Sequence, residues 1–182
     1  MKNTTSRRLF MRNSAFAITG LAVLTPTITS AFTSESPYSG YNPYAETKTD
    51  LRTGVFSSNS VAVKGTLYGK DDAIPLKNAT VEVWHLSPNS SKYRHRAKLK
   101  TDEQGRYEFL TDFPNKEEGK SARIYFKVSS SESISFTELA LTEQGAHITG
   151  EHWAKNRNLG EKLFPIKETF LGETTIHFNL SV

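Results

Sequence analysis

The sequence predicts an all-β sandwich behind an export leader, and three observations carry that expectation. Short runs rich in β-branched and aromatic residues alternate apolar with polar side chains. Turns bearing Gly and Asp separate them at the spacing of a sandwich. The basic excess of the chain is confined to its first residues. With 182 residues, 36% of them hydrophobic and 23% charged, the chain has room for one globular domain plus a leader.

The leader opens with Ser6-Arg7-Arg8-Leu9-Phe10-Met11-Arg12, paired arginines followed by a bulky apolar pair and another base, as in twin-arginine export signals. The apolar run from Ala15 to Leu24 is shorter than the roughly 20 residues that span a bilayer as a helix, and it breaks at Pro26. Small residues at Thr29-Ser30-Ala31 suit cleavage after Ala31. The expected organisation is a signal peptide over 1–31, an extended arm over 32–60 and the sandwich over 61–182. The mature form is then expected in the periplasm or outside the cell, without a membrane span. Twin-arginine export carries folded, often cofactor-loaded proteins, which favours a metal.

Charge and cysteine content exclude several classes. Residues 1–31 hold Lys2, Arg7, Arg8 and Arg12 and no acidic residue, leaving 19 basic against 19 acidic side chains in the rest. A formally neutral domain without a long basic run offers no footprint for nucleic acid. With no cysteine, disulfides, thiolate metal sites and cysteine nucleophiles are excluded, so a metal would need His, Tyr, Asp or Glu. Phosphate-binding glycine loops, nucleophile elbows and His-Glu-X-X-His zinc helices are absent from the sequence.

The elements read in order. From Phe32 to Ser60 the chain has no period; its Tyr38, Tyr41 and Tyr44 either pack on the core or belong to a partly ordered tail. Val61 to Tyr68 alternates as a strand and turns at Gly69-Lys70-Asp71-Asp72. Thr80 to His85 puts Val81 and Val83 on one face and Glu82 and Trp84 on the other, so both faces are used. Asp102-Glu103-Gln104-Gly105 is a turn into Arg106 to Leu110, where Tyr107 and Phe109 share a face, and a hairpin is expected there. Ala122 to Val128 is a further strand, 135–167 mixes a strand with loops, and Thr174 to Leu180 closes the chain.

Gly65, Pro75, Ala79, Val81-Glu82-Val83-Trp84-His85, Tyr93-Arg94-His95, Thr101-Asp102-Glu103-Gln104-Gly105-Arg106-Tyr107-Glu108-Phe109 and Pro114, in that succession, resemble the core of the intradiol ring-cleavage dioxygenases. The resemblance covers about residues 60–128, with a looser extension to the C-terminus. It implies a transthyretin-like β-sandwich whose loops hold a non-haem ferric ion between two tyrosines and two histidines. Phenolates suit ferric iron as hard anionic donors.

Carried over residue by residue, the ligand set is incomplete. One family tyrosine matches Tyr93, at an interval from Trp84 one residue longer than usual. The second belongs to the loop that here reads Pro114-Asn115-Lys116-Glu117-Glu118-Gly119-Lys120, which holds no tyrosine. Arg123 and Tyr125 stand at the two histidine positions, and a guanidinium does not ligate a metal. Tyr93 and Tyr125 remain as candidate metal ligands, with His95, His147 or His152 to be brought near by loops. His147 and His152, five apart, fit neither strand nor helix spacing and are expected on loops or the surface. His85 is read as a structural hydrogen-bonding residue and His177 as facing solvent.

Arg123 has two expected fates. In an open cavity beside Tyr93 and Tyr125 it would bind an anion such as a carboxylate; otherwise it pairs with Glu117 or Glu118 and fills the old site, the favoured reading because an unpaired buried charge is costly. Two functions follow. In the first, the domain has lost the ferric site, binds no cofactor and acts as an extracytoplasmic binding or structural module for a small aromatic molecule or an envelope protein. In the second, it is a ring-cleaving dioxygenase of catechol-like aromatics, with Fe(III) in a rebuilt site.

Overall fold

Alternation along the chain produces strands that each present one face to a common interior. The computed structural model describes residues 36–54, 59–71 and 73–182. The leader, its cleavage point and residues 32–35 lie outside these.

Ser60–Tyr68 (β1), Thr80–His85 (β2), His95–Lys100 (β3), Arg106–Asp112 (β4), Ala122–Ser129 (β5), Ile134–Leu141 (β6) and Ala146–Ile148 (β7) come first. A short helix, Gly150–Asn156 (α1), and a 3-10 segment, Arg157–Leu163, follow. Ile166–Phe170 (β8), Glu173–His177 (β9) and Leu180–Ser181 (β10) end the chain. Among the described residues the strands form two five-stranded sheets. One runs β3-β2-β5-β6-β7; in the other β1 lies between β4 and β9, with β8 outside β9 and β10 beside the end of β1. This is an all-β sandwich, as the alternation predicts.

The inner faces close over one core. Val61, Val63, Tyr107, Phe109 and Ile176 from one sheet meet Val81, Val83, Ile124, Phe126 and Leu139 from the other, all nearly inaccessible to solvent. Burying each of these side chains contributes on the order of 1.5–3 kcal/mol.

Three expectations need correcting. The turn at Asp102 to Gly105 is not a hairpin, because β4 pairs antiparallel with β1 in the opposite sheet rather than with β3. Ala97 and Leu99 of β3 and Tyr107 and Phe109 of β4 are all core residues, so the turn is a corner between sheets. Residues 135–167 carry three strands and two helical segments rather than one strand in loops. The last strand breaks at Phe178-Asn179, giving β9 and β10.

The arm is tied down. Its backbone bridges β3 through Thr47 and Lys98 and β4 through Asp50 and Leu110, and Leu51 enters the core. Among the described residues no helix is long and apolar enough to cross a membrane.

Candidate functional site

On the outer face of the β2-β5-β6 sheet, the alternation that sends Val81 and Val83 inward sends Trp84 out, and Tyr125 and Phe136 join it. These three are buried because the arm lies over them. Tyr38 stacks on Tyr125 with centroids 4.8 Å apart, and Tyr41 tilts against Trp84 at 5.1 Å. The Trp84 indole donates from Nε1 to the Ser39 carbonyl at 2.9 Å. Lys127 donates to the Tyr41 hydroxyl at 2.7 Å and pairs with buried Glu82 at 3.2 Å. Tyr44, by contrast, is exposed.

Gly40 makes the close cover possible. Its φ of +79° is one that side-chain-bearing residues rarely adopt, and a Cβ there would come within 2.1 Å of Tyr93 Cγ.

Tyr93 and Tyr125 are brought together, and what joins them is Glu117. Both hydroxyls donate to the same Oε1 at 2.6 Å, while Lys120 binds Oε2 at 2.7 Å. Burial works against the Glu117 carboxylate, yet the hydrogen bonds from Lys120, Tyr125 and Tyr93 hold its pKa down to about 2. Burial, then the Glu117 bond, pushes both phenols well above the ordinary tyrosine range. At neutral pH two phenols therefore surround one carboxylate.

Arg123 pairs with Glu138, not with Glu117 or Glu118 as expected. The register explains the partner. Tyr125 lies opposite Glu138 and Arg123 opposite Ala140, so Arg123 and Glu138 are diagonal neighbours on one face of adjacent strands. Glu117 is already engaged by the two phenols and Lys120. Glu138 was missed in the sequence because 135–167 gave no register; pairing β6 to β5 through the Ser130–Ser133 turn would have placed it.

The histidines are engaged elsewhere. His85 and His95, opposite each other in the β2-β3 ladder, stack at 4.7 Å in full burial. His85 bonds to the Leu86 carbonyl at 2.8 Å and to Thr111 Oγ1 at 2.6 Å, and burial lowers its pKa to about 3. This agrees with the structural role expected for it. His95 bonds to Ser87 and Asp112, each at 2.9 Å. His147 is exposed on β7, near Thr142 at 3.2 Å.

His152 corrects a reading. It is fully buried on α1 rather than in a loop, with Nδ1 2.7 Å from Thr137 Oγ1 and its ring against Phe178. Thr149 caps α1 and places His152 in its first turn, facing inward. Burial lowers its pKa to about 4. His177 is partly exposed, 3.5 Å from Glu168. Among the described residues no three His, Asp or Glu side chains gather as a metal site.

No family model and no curated protein matches the chain. Solved structures do. The dioxygenase domain of a dioxygenase and carbohydrate-binding protein fusion from Streptomyces sp. SirexAA-E matches over 81% of this chain and 94% of its own, with a TM-score of 0.60 at 16% identity. An intradiol ring-cleavage dioxygenase from Tetranychus urticae matches over 81% and 90%, with a TM-score of 0.59 at 14% identity. Chlorocatechol 1,2-dioxygenase from Pseudomonas putida matches over 80% and 69%, with a TM-score of 0.58 at 20% identity.

Proposed function

The chain has the fold of the intradiol ring-cleavage dioxygenases, and from that premise we propose that it is a divergent form whose ferric site has been replaced by a closed hydrogen-bond network. On this reading it is exported by the twin-arginine route and works as an extracytoplasmic binding or structural module. The observation that carries the reading is the convergence of the Tyr93 and Tyr125 hydroxyls on one oxygen of Glu117.

The residues present do not fit the ion that the resemblance implies. The two imidazole positions hold Arg123, which is ion-paired to Glu138, and Tyr125, which donates to Glu117. Both phenol hydroxyls are engaged as donors to the Glu117 carboxylate rather than left free as oxygen donors. A guanidinium has no lone pair to offer a metal, and the Arg123 Nε is buried without a hydrogen-bond partner among the described residues. The arm covers the same place, with Tyr38 on Tyr125 and Gly40 against Tyr93. A ring entering from outside would have to displace it.

The test is iron content and a visible absorption spectrum of protein from the exported fraction. The expected result is no stoichiometric iron and no tyrosinate-to-iron band. Near-stoichiometric iron, with a band that disappears in Tyr93→Phe, would overturn the proposal in favour of a rebuilt ferric site.

A further inference from the structure

A sheet edge exposes backbone donors and acceptors, and this chain covers two of its own. Glu46 to Lys48 bond to Lys98 at the edge of β3, and Thr49 to Leu51 bond to Leu110 at the edge of β4. The edge strand β7 has only three residues. β8 is longer, and among the described residues its outer edge has no strand or bridge partner.

Its hydrogen-bond parity is fixed by the hairpin. Leu171 and Gly172, at φ +49° and +84°, form a two-residue turn of the primed class between Phe170 and Glu173. Phe170 and Glu173 are then a hydrogen-bonded pair, and alternation leaves the N–H and C=O of Lys167 and Thr169 pointing away from β9. These groups find no backbone partner among the described residues. The outer face of the same strand shows Ile166 and Phe170, 59% and 76% exposed, on either side of exposed Glu168.

We infer that the β8 edge is a docking site for an extended segment of a partner protein, added as an antiparallel strand. The segment places apolar side chains against Ile166 and Phe170 and a basic one against Glu168. Backbone bonds to Lys167 and Thr169 supply the pairing, and the outward face supplies the selection. A second copy of this chain fits less well. With outward bonds only at Lys167 and Thr169, a two-fold pairing centres on Lys167, Glu168 or Thr169. The first two set like charges opposite each other, and the third sets Phe170 against Glu168. This inference stands apart from what the tyrosine cluster holds.

The test is an amide-resolved NMR titration of the 15N-labelled protein with a short synthetic peptide alternating Val and Thr around one central Lys. A matched peptide with central Glu is the comparison. Shifts at the Lys167 and Thr169 amides are expected, with the Lys peptide binding at least several-fold tighter and Glu168→Lys reversing the order. Thr169→Pro removes a donor that the fold does not use, so it abolishes binding while the signals of the Trp84 cluster stay in place. Absence of shifts at Lys167 and Thr169, or equal affinity for the two peptides, would overturn the inference. So would concentration-dependent shifts of those amides without peptide, which would make a second copy the occupant.

Discussion

Glu117 serves three donors with two oxygens, so its removal is felt at every one of them. In Glu117→Ala the half-buried hydroxyls of Tyr93 and Tyr125 lose their acceptor, and Lys120 loses its counter-charge. Hydrogen bonds to a charged group, discounted for partial exposure, put the cost at about 1–3 kcal/mol, read as a lower urea midpoint. Without the carboxylate both phenols ionise at lower pH than in the parent, which an absorbance titration near the tyrosinate band will register. If the phenols titrate unchanged, Glu117 does not hold them. That Tyr93 and Tyr125 lie close together was legible in the sequence, because the family resemblance puts both near one place in the fold. The partners were not, since Glu138 is set by strand register and Tyr38 by the path of the arm.

At the level of elements, the arm acts as the third layer over the β2-β5-β6 sheet. Gly40→Ala asks an L-residue to adopt φ +79°, costing about 1–2 kcal/mol, and drives its methyl into Tyr93. The expected outcome is an arm lifted from Trp84, which is 1% exposed, while the core sheets stay folded. Trp153 is already half exposed, so the measurement is acrylamide quenching in a Trp153→Phe background. Quenching should rise severalfold in Gly40→Ala, and unchanged quenching would mean that the arm does not depend on that glycine. The strands at Val61 to Tyr68 and Thr80 to His85 were readable because period-two alternation is local. The corner at Asp102 to Gly105 was not, because a tight turn between two half-buried strands looks the same whether they pair side by side or face each other across a core.

For the molecule as a whole, two buried neutral histidines tie stability to pH. Burial holds His85 at about 3 and His152 at about 4, against an ordinary value near 6.5 in the unfolded chain. Between those limits the unfolded state binds protons that the folded state refuses, so stability is full above about pH 6.5 and falls as the pH drops toward the folded values. Two such groups give a slope of about 2–3 kcal/mol per pH unit near pH 5. Glu117, held down at about 2, adds to the loss only below the ordinary carboxylate range. Urea midpoints at pH 7, 6 and 5 should therefore decline steeply. The histidines differ in what surrounds them: His85 is closed between Leu86 and Thr111, whereas His152 keeps an Nε2 with no hydrogen-bond partner among the described residues. Replacing His152 by Gln removes one of the two titrating groups and should lower the slope by up to about half, even if stability at pH 7 also falls. A slope unchanged in that variant would place the acid sensitivity elsewhere in the fold.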